Sequence, residues 1–109
     1  MTYRVLFSPE ARDDLFALRH YIAGEAGVAV AAAFTEAIVA YCESFATFPE
    51  RGRRRDDIRP GLRIIGFRRR ATIAFALRGT DVLVLGVLYA GRDIERALRD
   101  ERAPRDHDP

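Results

Sequence analysis

The chain has 109 residues, 49% of them apolar, enough for one hydrophobic core and too few for two ordinary domains. Its net charge of +2 hides an uneven distribution: residues 1–49 carry three arginines against six carboxylates, residues 50–92 eleven against four, and residues 93–109 four against six. One cysteine excludes an intrachain disulfide, and no apolar run is expected to approach the roughly 20 residues of a membrane helix, so a reducing cytoplasm is the expected compartment.

In chain order, Arg4-Val5-Leu6-Phe7 reads as a short strand, and Ser8-Pro9-Glu10 as a helix start with Ser8 capping. Leu15, Leu18 and Ile22 then recur at helical spacing, with Ala11 and Tyr21 widening the face, so the first helix should span about 9–23. Gly24 or Gly27 should end it. A second helical run follows, with Val30, Phe34, Ile38, Tyr41, Phe45 and Phe48 on one side, and Pro49 stops it. The connection is too short for a crossover, which makes the helices antiparallel neighbours. Cys42 falls in this run and reads as a small buried hydrophobe.

Residues 50–61 offer four arginines at 51–55 with Asp56-Asp57 and read as an exposed basic loop without an apolar face, closed by Arg59-Pro60-Gly61. Extended segments follow at Leu62-Arg63-Ile64-Ile65, at 72–78, where Ile73, Phe75 and Leu77 alternate with smaller or polar residues, and at 82–89, nearly all apolar. Gly79-Thr80-Asp81 is the last turn. The expected fold is α+β: a helical hairpin packed on a mainly antiparallel sheet of three strands, with the N-terminal strand as a fourth. The other face should be open and carry the arginines. Residues 96–109 read as a polar tail on a single domain spanning 1–109.

No phosphate-cradling glycine loop, paired cysteine motif or His-Glu-x-x-His element is present, so neither a metal nor a cofactor is expected. His20 and His107 are isolated in sequence, and Ser8 and Ser44 are better explained as a cap and a helix-surface residue than as nucleophiles. What remains is arginine: Arg51, Arg53, Arg54, Arg55, Arg59, Arg63, Arg68, Arg69, Arg70 and Arg78, whose forked donors suit phosphate and carboxylate alike. Arg51 to Arg55 also fit a merely solvated loop. Arg59, Arg63 and Arg78 sit at or in extended elements that hold them still, as binding requires. At the end of the last strand, Tyr89 and Arg92 flank a glycine turn, and Arg92 either grips a phosphate or pairs with Asp93.

The ordered set Phe7-Ser8-Pro9-Glu10-Ala11-Arg12-Asp13-Asp14-Leu15, Phe48-Pro49 with Gly52-Arg53, Ile58-Arg59-Pro60-Gly61-Leu62-Arg63, and Val87-Leu88-Tyr89-Ala90-Gly91-Arg92-Asp93 resembles the ParE branch of the RelE/ParE toxin superfamily. The resemblance covers residues 3–95. It implies a type II toxin, with a ParD-like antitoxin as partner and DNA gyrase as the target, so that replication stalls; the alternative is ribosome-dependent cleavage of mRNA in the manner of RelE. Binding to antitoxin or target falls to Arg59, Arg63, Arg68, Arg69, Arg70, Arg78 and Arg92. A ribonuclease would draw on Arg63, Arg78, Tyr89 and Arg92. The family's closing motif commonly reads His-Gly-Arg-Arg-Asp, and Tyr89-Ala90-Gly91-Arg92-Asp93 stands there without the histidine. With no lysine, histidine or glutamate in the sheet region, intrinsic catalysis is not expected.

Overall fold

Ser8 decides where the first strand becomes a helix. In the computed structural model, which describes residues 2–89 and Leu98, its backbone is extended and its Oγ accepts the Ala11 N–H at 3.1 Å. Loss of such a cap costs about 0.5–2 kcal/mol. The same hydroxyl donates to the Leu85 carbonyl at 3.3 Å, tying the helix start to the sheet. Strand β1 (Arg4–Phe7) therefore leads directly into α1 (Pro9–Ala26), longer than the expected 9–23 because Gly24 lies within it. Gly27, at φ 100°, is the whole connection to α2 (Val28–Glu43), which ends in a 3₁₀ turn at Ser44–Ala46.

The buried side of α2 differs from the stripe expected. Ala31, Thr35, Ile38 and Cys42 are buried, with Phe45 just beyond the helix, while Val30 and Phe48 are 51% and 68% exposed. Phe34 and Tyr41 flank the core half-buried. Small residues win the inward positions because they permit close helix approach, and Thr35 is tolerated there because its hydroxyl donates to the Ala31 and Ala32 carbonyls at 2.9 and 3.2 Å. The expectation about apolar runs also needs correction: Val28–Ala46 is long and apolar enough to cross a membrane by length and composition alone. In this fold one side of it packs on the core, and most of it remains uncovered.

The sheet has five strands in the order β1-β5-β4-β3-β2, adding β2 (Arg53–Arg54), β3 (Leu62–Phe67), β4 (Ala71–Arg78) and β5 (Asp81–Tyr89). β1 pairs parallel to β5 and the other pairings are antiparallel. β2 is two residues long, too short to leave a pattern, and forms against β3 where Gly52, at φ 72°, lets the chain pass so close to the Ile64 carbonyl that a Cβ would collide. A bulge near Ala74 and Phe75 leaves Leu85 as the extra residue on β5, since Gly86 faces Ala74 and Val84 faces Phe75. Val82, Val84, Val87 and Tyr89 consequently all join the core beneath the helices, a spacing that strict alternation forbids.

The far face of the sheet is not the open, arginine-bearing surface expected. Leu62, Ala74, Ala76 and Leu85 form a second apolar cluster there, sealed by Ile58 and Leu98, and all six are buried. Ile58 thus gives the basic loop an anchor, and Leu98, within the stretch read as a polar tail, belongs to a core.

Candidate functional site

The arginines of the second half are distributed by the register of β3 and β4. Arg63 lies opposite Phe75 and so faces the helices; it donates to the Arg51 carbonyl at 3.3 Å and stands 3.8 Å from a Glu50 carboxylate oxygen. Arg51 in turn lays its guanidinium over the rings of Tyr41 and Phe45, 4.9 and 5.5 Å from their centroids, and donates to the Ser44 and Tyr41 hydroxyls at 3.0 and 3.3 Å. Arg51 staples the 49–52 chain to the end of α2, and Arg63 ties it to β3. Arg54 pairs with Asp56 at 3.1 Å, and Arg55 grips Asp57 through two hydrogen bonds of 2.9 and 2.8 Å. The Gly61 N–H, followed by Arg54, holds the Asp56 carboxyl below its usual range. Much of the loop's positive charge is answered within the loop.

Arg59 and Arg78 come close to one another at the opposite face. Partial burial, and then the neighbouring charge of Arg78, push the Arg59 guanidinium below its ordinary value. Arg68, Arg69 and Arg70 form the β3–β4 turn and are exposed. Tyr89, half-buried, packs on Tyr21 and Phe34 with centroids 5.4 and 6.4 Å apart. Arg92 lies outside the described residues.

Tyr89 faces Ala71 at one end of β4, whereas Arg78 ends the other. Seven residues of strand separate them, roughly 23 Å at about 3.3 Å per residue. Arg63 sits nearer the Arg78 end but on the other face of the sheet. Arg63, Arg78 and Tyr89 therefore do not meet around one phosphate. Arg59 lies near enough to Arg78 to feel its charge, and Arg68 to Arg70 form a separate group at the β3–β4 turn.

Two features escaped the sequence reading. Asp14 is buried, and its carboxylate accepts the Val87 N–H at 2.9 Å. Also unforeseen is a groove of about 390 Å³ on the outer side of the helical hairpin, floored by Leu15, Phe16, Thr35 and Val39. α1 contributes Arg12 and Arg19 to it, α2 Glu36 and Glu43, and Phe16 is 76% exposed. A large aromatic off the Leu15/Leu18/Ile22 stripe was the available signal. Among the described residues no group of three or more histidine, cysteine or carboxylate side chains is placed to hold a metal ion.

The model of the family described as the ParE toxin of type II toxin-antitoxin systems, parDE, matches residues 5–94. The chain belongs to the ParE toxin family. It is accordingly the toxin component of a ParDE-like system. A solved structure titled "Chromosomal ParDE TA system from P. aeruginosa" contains a similar chain: TM-score 0.72 and 19% identity, covering 82% of this toxin and 97% of that chain. The likeness matches the α+β architecture of N-terminal strand, helical hairpin and mainly antiparallel sheet. No curated protein sequence matches the toxin significantly.

Proposed function

We propose that this ParE toxin arrests growth in the cytoplasm by binding DNA gyrase and stalling replication, performs no bond-breaking chemistry of its own, and is neutralised by a ParD-like antitoxin. The observation that carries the reading is the separation of Tyr89 from Arg78 along β4, with Arg63 on the other face. Metal-free RNA cleavage needs a base for the 2′-hydroxyl, donors for the phosphorane and an acid for the leaving oxygen, all within hydrogen-bond reach of one phosphate. Arginine supplies only the donors, and a phenol is a poor base at neutral pH. The spread of basic groups suits a surface that grips a large partner at several points. Arg59 with Arg78, the tip residues Arg68 to Arg70, and Arg92 are the contacts this reading assigns to target or antitoxin; Arg63 is largely committed to Arg51 and Glu50.

Apolar exposure supports a seat for the antitoxin on the helical hairpin. α2 is hydrophobic along its length yet mostly uncovered, and Phe16, Val28, Val30 and Phe48 are all more than half exposed. An amphipathic antitoxin helix seated between α1 and α2 would cover the groove, with acidic side chains toward Arg12 and Arg19 and basic ones toward Glu36 and Glu43. The test is induced expression with and without the antitoxin, with DNA synthesis and mRNA integrity followed in parallel. DNA synthesis should stop first while transcripts stay whole. Early codon-specific transcript cleavage would replace this reading with a RelE-like endoribonuclease acting on the ribosome.

A further inference from the structure

The groove on the outer side of the helical hairpin has two banks of opposite charge. Arg12 and Arg19 of α1 line one, Glu36 and Glu43 of α2 the other. All four are exposed, and none has an ion pair among the described residues. The spacing is the same on both banks: seven residues separate the arginines and seven the glutamates, two helical turns or roughly 10.5 Å at about 1.5 Å per residue. Because Gly27 alone joins the helices, Arg19 and Glu36 lie level with one another, and so do Arg12 and Glu43 nearer the open end of the hairpin. Between the charged pairs Phe16 is 76% exposed, beside Leu15, Val39 and Ala40.

We propose that the antitoxin-free toxin pairs with a second copy of itself through this groove, about a two-fold axis running along the helices. That axis lays α1 of one copy antiparallel on α2 of the other. A single register then satisfies every position at once: Arg12 of each copy falls opposite Glu43 of the other, Arg19 opposite Glu36, Phe16 opposite Val39 and Leu15 opposite Ala40. The two-fold repeats each pairing, so four ion pairs surround an apolar strip. A two-fold across the helices would instead lay α1 on α1 and bring arginine against arginine, which like-charge repulsion opposes. Exposed ion pairs add little affinity, so they fix axis and register while the strip around Phe16 supplies the contact. The dimer is therefore weak and comes apart on dilution. The groove is also the seat assigned above to the antitoxin, so a paired toxin must open before the antitoxin enters. Self-association itself needs no antitoxin: a free toxin that stays monomeric would defeat this proposal and leave that seat standing.

Sedimentation equilibrium of the purified, antitoxin-free toxin over a range of concentrations tests it. The parent should pass from monomer to dimer as concentration rises. Glu36→Arg/Glu43→Arg makes both banks basic and Arg12→Glu/Arg19→Glu makes both acidic, so each variant alone should dimerise about tenfold more weakly or worse. An equimolar mixture of the two should recover the dimer as a heterodimer, because each supplies the charges the other lacks. Asp13→Arg/Glu25→Arg changes the net charge as much as the first variant at exposed positions off the groove, and should dimerise as the parent does. The changes at 12 and 43 suit the dipoles of the helix ends they occupy. If a double variant nevertheless melts below the parent, the single changes Arg12→Glu and Glu43→Arg, mixed in the same way, decide. A parent that remains monomeric at every concentration, a dimer that the double variants and the control hold equally well, or a mixture no tighter than its components would overturn the proposal.

Discussion

The Asp14 carboxylate accepts the Val87 N–H at 2.9 Å on the stretch of β5 beyond its pairing with β1, which ends at Phe7 and Val84. The edge of β5 is thus completed from the start of α1: the capping Ser8 donates its backbone N–H to the Val84 carbonyl and its hydroxyl to that of Leu85, and one turn and a half later the Asp14 carboxylate meets Val87. Replacing Asp14 with Ala strands a buried N–H, and should lower stability by about 1–3 kcal/mol. Urea denaturation should show a reduced midpoint at unchanged slope. An unaltered midpoint would mean that water takes the carboxylate's place.

The core beneath the hairpin is centred on Phe45 and Phe75, fully buried with ring centroids 4.6 Å apart. Phe45→Ala should cost about 3–5 kcal/mol. Phe34→Ala should cost clearly less, because Phe34 is only half-buried against Phe67 and Tyr89. Thermal melts of the two variants give the order; equal losses would contradict the assigned core face.

These two sites also mark what was legible in the sequence. Leu18, Ile22, Ile38, Phe45, Ile73 and Phe75 announce themselves through period and size, and the Ser8-Pro9 start through capping chemistry. Ala31, Thr35 and Cys42 do not, since small residues carry little hydrophobic signal yet decide how closely helices approach. Asp14 reads as a surface acid because its partner is a backbone N–H distant in sequence. The second face was missed because Ile58 and Leu98 come from polar stretches, and only the bulge at Leu85 explains why β5 is apolar throughout. The arginines were visible by number, but only the register of β3 and β4 separates them into a stapled set, the Arg59–Arg78 pair and the tip.

Cys42 is buried, and burial pushes its thiol from 9.0 up to about 12. Ionisation is then easier in the unfolded chain, so this group's contribution is fully present below about pH 9 and is lost as pH rises toward 12. The stability of the parent should decline more steeply between those limits than that of Cys42→Ala. Thiol reagents at pH 8 should label the native protein only after denaturant is added; prompt labelling would place the thiol at the surface.

Phe16 separates antitoxin binding from folding, because a side chain 76% exposed contributes little to the isolated toxin. Phe16→Ala should leave the melting temperature nearly unchanged and weaken the antitoxin complex by about 2 kcal/mol or more, as for a buried aromatic anchor. Arg59→Glu should speed dissociation if the antitoxin also reaches the Arg59–Arg78 face. Arg63→Glu brings a carboxylate against Glu50 and should destabilise the toxin itself. Surface-based release kinetics alongside melts distinguish the three; an unaffected complex with Phe16→Ala would move the antitoxin off the hairpin groove.

The central claim is that this toxin acts on gyrase by binding. Its most direct test is the yield of covalent gyrase–DNA complexes when purified, antitoxin-free toxin is added to gyrase, DNA and ATP, with ribosome-bound mRNA monitored beside it. The account predicts more covalent complexes, intact mRNA, and an effect weakened more by Arg92→Ala, which deletes a forked donor, than by Tyr89→Phe, which keeps its packing on Tyr21 and Phe34. Unchanged gyrase complexes together with codon-specific mRNA cleavage abolished by Tyr89→Phe would contradict it.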